Sequence, residues 1–406
     1  MSTRIVVTGM GCVSALGMGR DTFQKGLFAG QCGIGPISLF DTRDCKVRIA
    51  GEVPNYDGWA YFDKRQLGQL DRFAQFGVLS AREAVAQAGL RFEKGLSERT
   101  AIVHGTAIGA QNTQDDAYQQ FYGTPEKRVS GMTVPKAMTS ACVSQIGLDL
   151  GIKGPAFGTV SACASGGHAI AMAMMMLRSG VADVALAGGA DAPLVCGLLR
   201  SWEKLRVLAK DGCRPFSKDR EGMVLAEGAG TLVLETLPHA QKRGALILAE
   251  LVGFGMSADA HSLVQPEPEG QIRAIQGALY DAHWDATCVD YINAHATATV
   301  LGDPVETQAI RAVFGDQASD LLVSSSKSMF GHALGASPAL EAIATIMAIR
   351  EAVVPPTIGY LGFDPACDLD CVPNQARALS IRCALSHSFA FGGLNTVLAF
   401  QKYEGA

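Results

Sequence analysis

Short β-branched runs alternate with helical patterns along this chain, and near its middle the alternation starts again. Ile5-Val6-Val7 opens the series, and Leu70 to Ala88 carries apolar residues at helical spacing. Ala101-Ile102-Val103 reads as a strand ending at Gly105, Val181 to Leu186 as one ending at Gly188-Gly189, and Thr231 to Glu235 as another. Such alternation predicts α/β layers. Leu248 to Gly255 then predicts a strand and a glycine turn, and Tyr291-Ile292-Asn293 enters a second turn. Leu321 to Ser326 leads into a helix from about Ala339 to Arg350, and Cys383-Ala384-Leu385 with Thr396 to Phe400 predicts a closing hairpin around a glycine loop. A strand, small-residue turn and long helix near residues 158–177 have a looser counterpart at 321–350. The reading is two α/β halves, residues 1–250 and 251–406, packed without a proline-rich linker.

Composition narrows the function classes. The 406 residues fit two or three units at roughly 100–200 residues each. With 48% apolar and 18% charged residues the chain is a well-buried globular protein rather than a disordered one. A net charge of -5, with no basic run, argues against nucleic acid. Eleven cysteines, an odd number and mostly inside apolar stretches, point to free thiols and a cytoplasmic location rather than a disulfide framework. No C-x-x-C pair offers a zinc site, so no metal is expected. Ile5 to Leu16 faintly imitates a signal peptide, but Thr8, Gly9 and Gly11 interrupt it, and a first core strand is the better reading. No run approaches the ~18 apolar residues of a membrane span.

Four clusters carry chemistry. Cys163 sits in Val160-Ser161-Ala162-Cys163-Ala164-Ser165-Gly166-Gly167-His168, between an apolar run and a helix-forming run. A cysteine at such a corner meets backbone N–H groups and a helix N-terminus, both of which favour the thiolate. Three more clusters lie on turns after predicted strands, where α/β proteins gather their sites. They are Asn293 to Thr299 followed by Asp303 and Glu306, then Ser324 to His332 with Lys327, then Ser388 to Asn395. Singly each is weak: a turn histidine, a lysine or a Phe-Gly-Gly turn is common. His104, His168, His239, His261, His283 and His387 show no convincing partner pattern, though His261 and His387 lie on turns. Gly9-Met10-Gly11-Cys12-Val13-Ser14 begins like a dinucleotide fingerprint but has serine at the third glycine, so no such cofactor is expected.

Together and in this order the clusters resemble the elongating type II β-ketoacyl-acyl-carrier-protein synthases, and the resemblance runs over essentially the whole chain. Gly188-Gly189-Ala190, Arg214-Pro215-Phe216 and Glu227-Gly228-Ala229-Gly230 add to it. Ser201-Trp202-Glu203-Lys204-Leu205-Arg206-Val207-Leu208 is similar to the nodulation-type members, which make unusual unsaturated acyl chains. The resemblance implies a thiolase-like, five-layered αβαβα fold of two similar halves. It implies a homodimer with residues Phe157 to Ser161 at the two-fold axis. It implies a decarboxylating Claisen condensation on substrates carried by the phosphopantetheine of acyl carrier protein, with no other cofactor.

Roles follow residue by residue from the resemblance. Cys163 would hold the acyl chain, His295 and His332 would bind the malonyl thioester oxygen, and Lys327 would orient the site and bond toward Glu341. Asp303 and Glu306 would support the site. Thr297 and Thr299 would contact the pantetheine arm. The N–H groups of Cys163 and Phe391 would form the oxyanion hole. Phe391, Ile108 and Trp202 would line and gate the acyl pocket. Lys64, Arg65, Lys127, Arg128 and Arg206 would form a basic patch for the acidic carrier protein. The chemistry suits these residue types: a thiolate is both nucleophile and leaving group, and neutral imidazoles can stabilise an enolate.

The chain departs from the pattern at Ala296, Ala298, Phe330, Ser337, Pro338, Ala390 and His387. Ala390 in place of glycine would stiffen the gating loop, because alanine avoids positive φ. Two other classes fit the residues less well. A non-catalytic chain-length partner subunit would lack the cysteine, and a coenzyme A thiolase would need a second cysteine on the Phe391 loop, which is absent.

Overall fold

A computed structural model describes residues 3–93 and 95–405. Its strands repeat one pattern twice. The first ladder runs Ala156–Thr159, Thr100–Gly105, Val184–Asp191, Gly228–Thr236, Ile5–Ser14, with the first two pairings parallel and the next two antiparallel. The second runs Leu322–Ser324, Tyr291–Asn293, Cys383–Ala390, Leu394–Gln401, Ala249–Ala258, with the same senses in the same order. A short antiparallel pairing of Ile5–Val7 with Ala249–Leu251 joins the ladders into one hydrogen-bonded series.

Helices make the other layers. Ser165–Arg178 and Ser337–Glu351 pack on each other and touch strands of both ladders, so they form the middle layer. Ser337–Glu351 is buried from Ser337 to Ile349, as a helix clamped between two sheets must be. Arg72–Ala88 and Ala141–Leu150 cover the outside of the first ladder. Pro268–Ala282 and Gly302–Phe314 cover the outside of the second. This is the five-layered αβαβα arrangement of the thiolase-like fold. No helix is long and apolar enough to cross a membrane among the described residues.

Boundaries differ from the sequence reading where tertiary packing intervenes. Gly188 and Gly189 do not end their strand, which continues to Asp191. They are there because a Cβ at Gly188 would sit 1.9 Å from the Gly230 carbonyl oxygen, and one at Gly189 2.3 Å from that of Gly335. The helix predicted from Leu70 begins at Arg72, capped by the Asp71 side chain on Phe73 N–H. The helix predicted from Ala339 begins at Ser337, and a further one-turn helix, Lys327–Phe330, lies inside the serine-rich turn.

Candidate active site

Cys163 stands at a forced corner between the strand Ala156–Thr159 and the helix Ser165–Arg178. Ala162 turns the chain with φ 49°, a left-handed conformation that costs alanine about 1 kcal/mol. The Ser165 side chain holds the turn: its Oγ donates to the Ala162 carbonyl at 2.6 Å and accepts from Ser161 N–H at 2.9 Å. Gly105 lets the helix start approach, since a Cβ there would lie 2.3 Å from the Ser165 carbonyl carbon.

The electrostatics at Cys163 correct the expectation that this corner favours the thiolate. Burial pushes its thiol up to about 12. Lys327 and the N–H groups of Phe391 and Cys163 itself oppose this, while Asp191 adds to it. Desolvation wins because the sulfur is buried among apolar groups, including Leu194, Leu199 and Leu334.

Two imidazoles face the same space. The His295 and His332 rings lie 5.4 Å apart at 84°. Burial first, then the Lys327 charge, holds both well below the ordinary imidazole value, so both are neutral. The His332 Nδ1 bonds the Ser337 hydroxyl at 2.9 Å, while its Nε2 has no partner. His295 is fixed through its backbone: its N–H and that of Ala296 donate to the two Glu306 oxygens at 2.9 and 2.7 Å. Lys327 is fully buried and pairs with Glu341, whose carboxyl burial still pushes up. Asp303 accepts from Phe216 N–H at 2.8 Å and is pushed up by burial to about 7.

Cys163 and the two imidazoles open on a cavity of about 320 Å³. Cys163, His295, His332, Thr297, Thr299, Glu306, Trp202, Arg206 and Phe391 line it. The Thr297 and Thr299 hydroxyls are 3.2 Å apart on its wall. The Trp202 and Phe391 rings stack with centroids 5.8 Å apart. Leu263 and Val264, both exposed, border the opening, and the Leu263 carbonyl accepts from Gly392 N–H at 2.9 Å.

Other candidates stand apart. Lys327, Glu341 and Asp303 lie behind the cavity wall rather than on it. Ile108 is not on the wall either; it packs behind it, in the apolar cluster that contains Cys163 and Trp202. Of the basic residues, Arg206 borders the cavity, and Lys64, Arg65, Lys127 and Arg128 are exposed elsewhere. Ala390 ends the strand Cys383–Ala390 without positive φ; Gly392 and Gly393 take φ 82° and 67° instead. The expected stiffening therefore does not arise. Ala298 does sit at φ 64°.

The roles of two residues escaped the sequence reading, although His387 is noted there. His387 bonds Glu306 Oε1 through Nδ1 at 3.1 Å, and so touches the carboxylate that holds His295. It lies within the strand Cys383–Ala390, paired with Val397, and not on a turn as the sequence reading has it. Asp191 closes the buried strand Val184–Asp191, and its signal was an acid ending an apolar run.

The chain matches the family Beta-ketoacyl synthase, N-terminal domain, over residues 2–240, and Beta-ketoacyl synthase, C-terminal domain, over residues 248–361. It is 46% identical to Nodulation protein E of Rhizobium sp. (strain N33), covering 99% of this chain and 100% of that one. It is 41% identical to 3-oxoacyl-[acyl-carrier-protein] synthase 2 of Staphylococcus aureus (strain COL), with 99% of each covered. The solved structure of the ishigamide ketosynthase/chain length factor superposes with a TM-score of 0.95 at 37% identity, over 99% of this chain and 100% of that one. A thiol at a strand-to-helix corner, two neutral imidazoles across one cavity and a full-length match on both halves lead to one conclusion: the chain belongs to the beta-ketoacyl synthase family.

Proposed function

We propose that this chain condenses a Cys163-bound acyl group with malonyl-acyl-carrier protein, releasing CO2 and giving 3-oxoacyl-acyl-carrier protein, in fatty-acid elongation. The observation that carries this is Cys163, His295 and His332 on one cavity wall. In the first half-reaction the Cys163 sulfur attacks the acyl thioester, loses its proton, and the pantetheine thiol leaves. The N–H groups of Phe391 and Cys163, both of which favour negative charge at this sulfur, would bind the oxyanion. The malonyl thioester then enters past Thr297 and Thr299. Its C–CO2 bond breaks, and the electron pair becomes an enolate whose oxygen accepts from the neutral imidazoles of His295 and His332. The enolate carbon attacks the acyl-Cys163 carbonyl, and the thiolate leaves. Lys327, paired with Glu341, is the fixed charge that keeps both imidazoles neutral. Asp303 and Glu306 support the wall. No cofactor beyond the carrier's phosphopantetheine is required.

The acidic carrier protein would dock where Arg206 borders the opening, with Lys64, Arg65, Lys127 and Arg128 contributing from elsewhere on the assembly. The protein would act in the cytoplasm as a homodimer. Supporting this, the strand Ala156–Thr159 ends its ladder with an unpaired edge, and Phe157 and Val160 beside it are exposed. The halves would divide as 1–250 and 251–406, with the cysteine in the first and the histidines and lysine in the second.

A second reading is the same condensation in a specialised acyl, polyene or polyketide pathway. It is favoured by the higher identity to Nodulation protein E than to the elongation synthase, 46% against 41%. Intact-mass measurement after incubation with acyl-carrier thioesters tests both. One acyl adduct on Cys163 is expected, absent in Cys163→Ala. Preference for saturated chains supports elongation, and reliance on a polyunsaturated chain supports the second reading. An adduct that persists in Cys163→Ala overturns the mechanism.

A further inference from the structure

The Asp191 carboxylate is fully buried and has no cationic partner among the described residues; only uncharged donors surround it. Its Oδ1 accepts from Thr106 Oγ1 at 2.6 Å and, more weakly, from Ile108 N–H at 3.4 Å. Its Oδ2 accepts from Ala107 N–H at 2.8 Å and from Gly335 N–H at 2.7 Å. Three of these donors belong to the turn after the strand Thr100–Gly105, which carries Ile108 toward the apolar cluster around Cys163. The fourth belongs to the turn that follows His332 and leads to Ser337, the partner of His332 Nδ1. One carboxylate thus ties a turn from the first half of the chain to a turn from the second.

The junction has no slack. A Cβ at Gly335 would fall 2.6 Å from Ala107 N and 2.7 Å from Asp191 Oδ2. Nor is the charge neutral in effect, because it acts against ionisation of Cys163. A buried anion placed against a nucleophile's own needs calls for a compensating role.

We propose that Asp191 is a positioning residue that locks the Ile108 turn, on the acyl side, in register with the His332 turn, on the malonyl side, so that both reactants meet at Cys163. This rests on the condensing reading above and deepens it. A carboxylate accepts all four contacts, whereas an amide of the same size would turn its own N–H groups toward two of them, of which only the Thr106 hydroxyl could turn and accept.

Two variants of the full chain test this, Asp191→Asn and Thr106→Val. The first readout is the pH profile of Cys163 alkylation by iodoacetamide, read by peptide mass at Cys163 because other thiols, exposed Cys32 among them, also alkylate. The charged groups facing Cys163 are Lys327 and Asp191, while His295 and His332 are held neutral on the same wall. Asp191→Asn removes the opponent of Lys327, so the profile moves to lower pH. Condensation moves the other way and falls roughly 10- to 100-fold. A chain merely loosened by the change would also admit water to Cys163 and ease its ionisation, so the second variant separates the two cases. Thr106→Val keeps the charge, so its alkylation profile stays in place. Its ratio of long to short acyl adducts shifts by roughly tenfold, because one tether of the Ile108 turn is gone.

Asp191→Asn with condensation unchanged overturns the proposal, as does Thr106→Val with an unchanged adduct ratio. If Asp191→Asn does not fold, Thr106→Val decides alone. A parent chain that takes no acyl adduct overturns the condensing reading itself, and alkylation at Cys163, which needs no substrate, tells that failure apart.

Discussion

His332 and Asp303 show how burial sets protonation at single residues. His332 is kept neutral by burial and by Lys327, so its free Nε2 can carry a hydrogen for the enolate oxygen. Replacing it with alanine removes one donor, and malonyl decarboxylation should fall about 10²- to 10³-fold while Cys163 acylation persists. Radiolabelled CO2 release against intact-mass acylation checks this, and equal loss of both would contradict separate roles. Asp303 is a buried acid raised from 3.8 to about 7. Between those values the native state holds a proton that the unfolded state gives up. The stability associated with this group is therefore greatest at low pH and falls as pH rises through the window. Asp303→Asn removes the charge and keeps an acceptor for Phe216 N–H. Its stability relative to the parent should climb from pH 4 to pH 7, by up to about 4 kcal/mol at roughly 1.4 kcal/mol per unit. Urea midpoints across that range measure it, and parallel curves would refute it. Cys163 itself was legible as a residue, but its protonation was not. The corner was visible in the small residues around it; the desolvation that outweighs the corner comes from leucines brought in from elsewhere.

At the scale of elements, the turn after Cys383–Ala390 is shaped by two glycines at positive φ, with Phe391 stacked on Trp202 of the helix Cys196–Leu205. Both rings line the cavity. Trp202→Ala should admit bulkier acyl chains, raising their share of adducts, whereas Ala390→Gly, at an ordinary strand position, should leave the distribution unchanged. Competition between carrier thioesters in one mass spectrum reads both. A shift in Ala390→Gly would mean that the strand end moves in the reaction. The element pattern was largely readable, down to the likeness of residues 158–177 and 321–350. The strand end at Gly105 was readable, but the one placed at Gly188-Gly189 was not, because those glycines answer to neighbours far away in sequence. The helix Lys327–Phe330 is too short to leave a period.

For the whole molecule, the middle helices see both ladders, and the first ladder ends on the exposed edge next to Cys163. If that edge pairs across a two-fold axis, Phe157→Asp should convert a dimer to a monomer in sedimentation and depress condensation with it. A parent chain that sediments as a monomer at micromolar concentration would refute the dimer. The sequence by itself determined the α/β repeat, the four turn clusters and the membership they signal, because periodicity and short motifs are local. Tertiary structure alone decided that Asp191 bridges two turns, that His387 reaches Glu306, and that Ile108 stands behind the cavity wall. It also decided that Cys163 rests as a thiol. Each of these depends on which groups meet, and on how much water they exclude when they do.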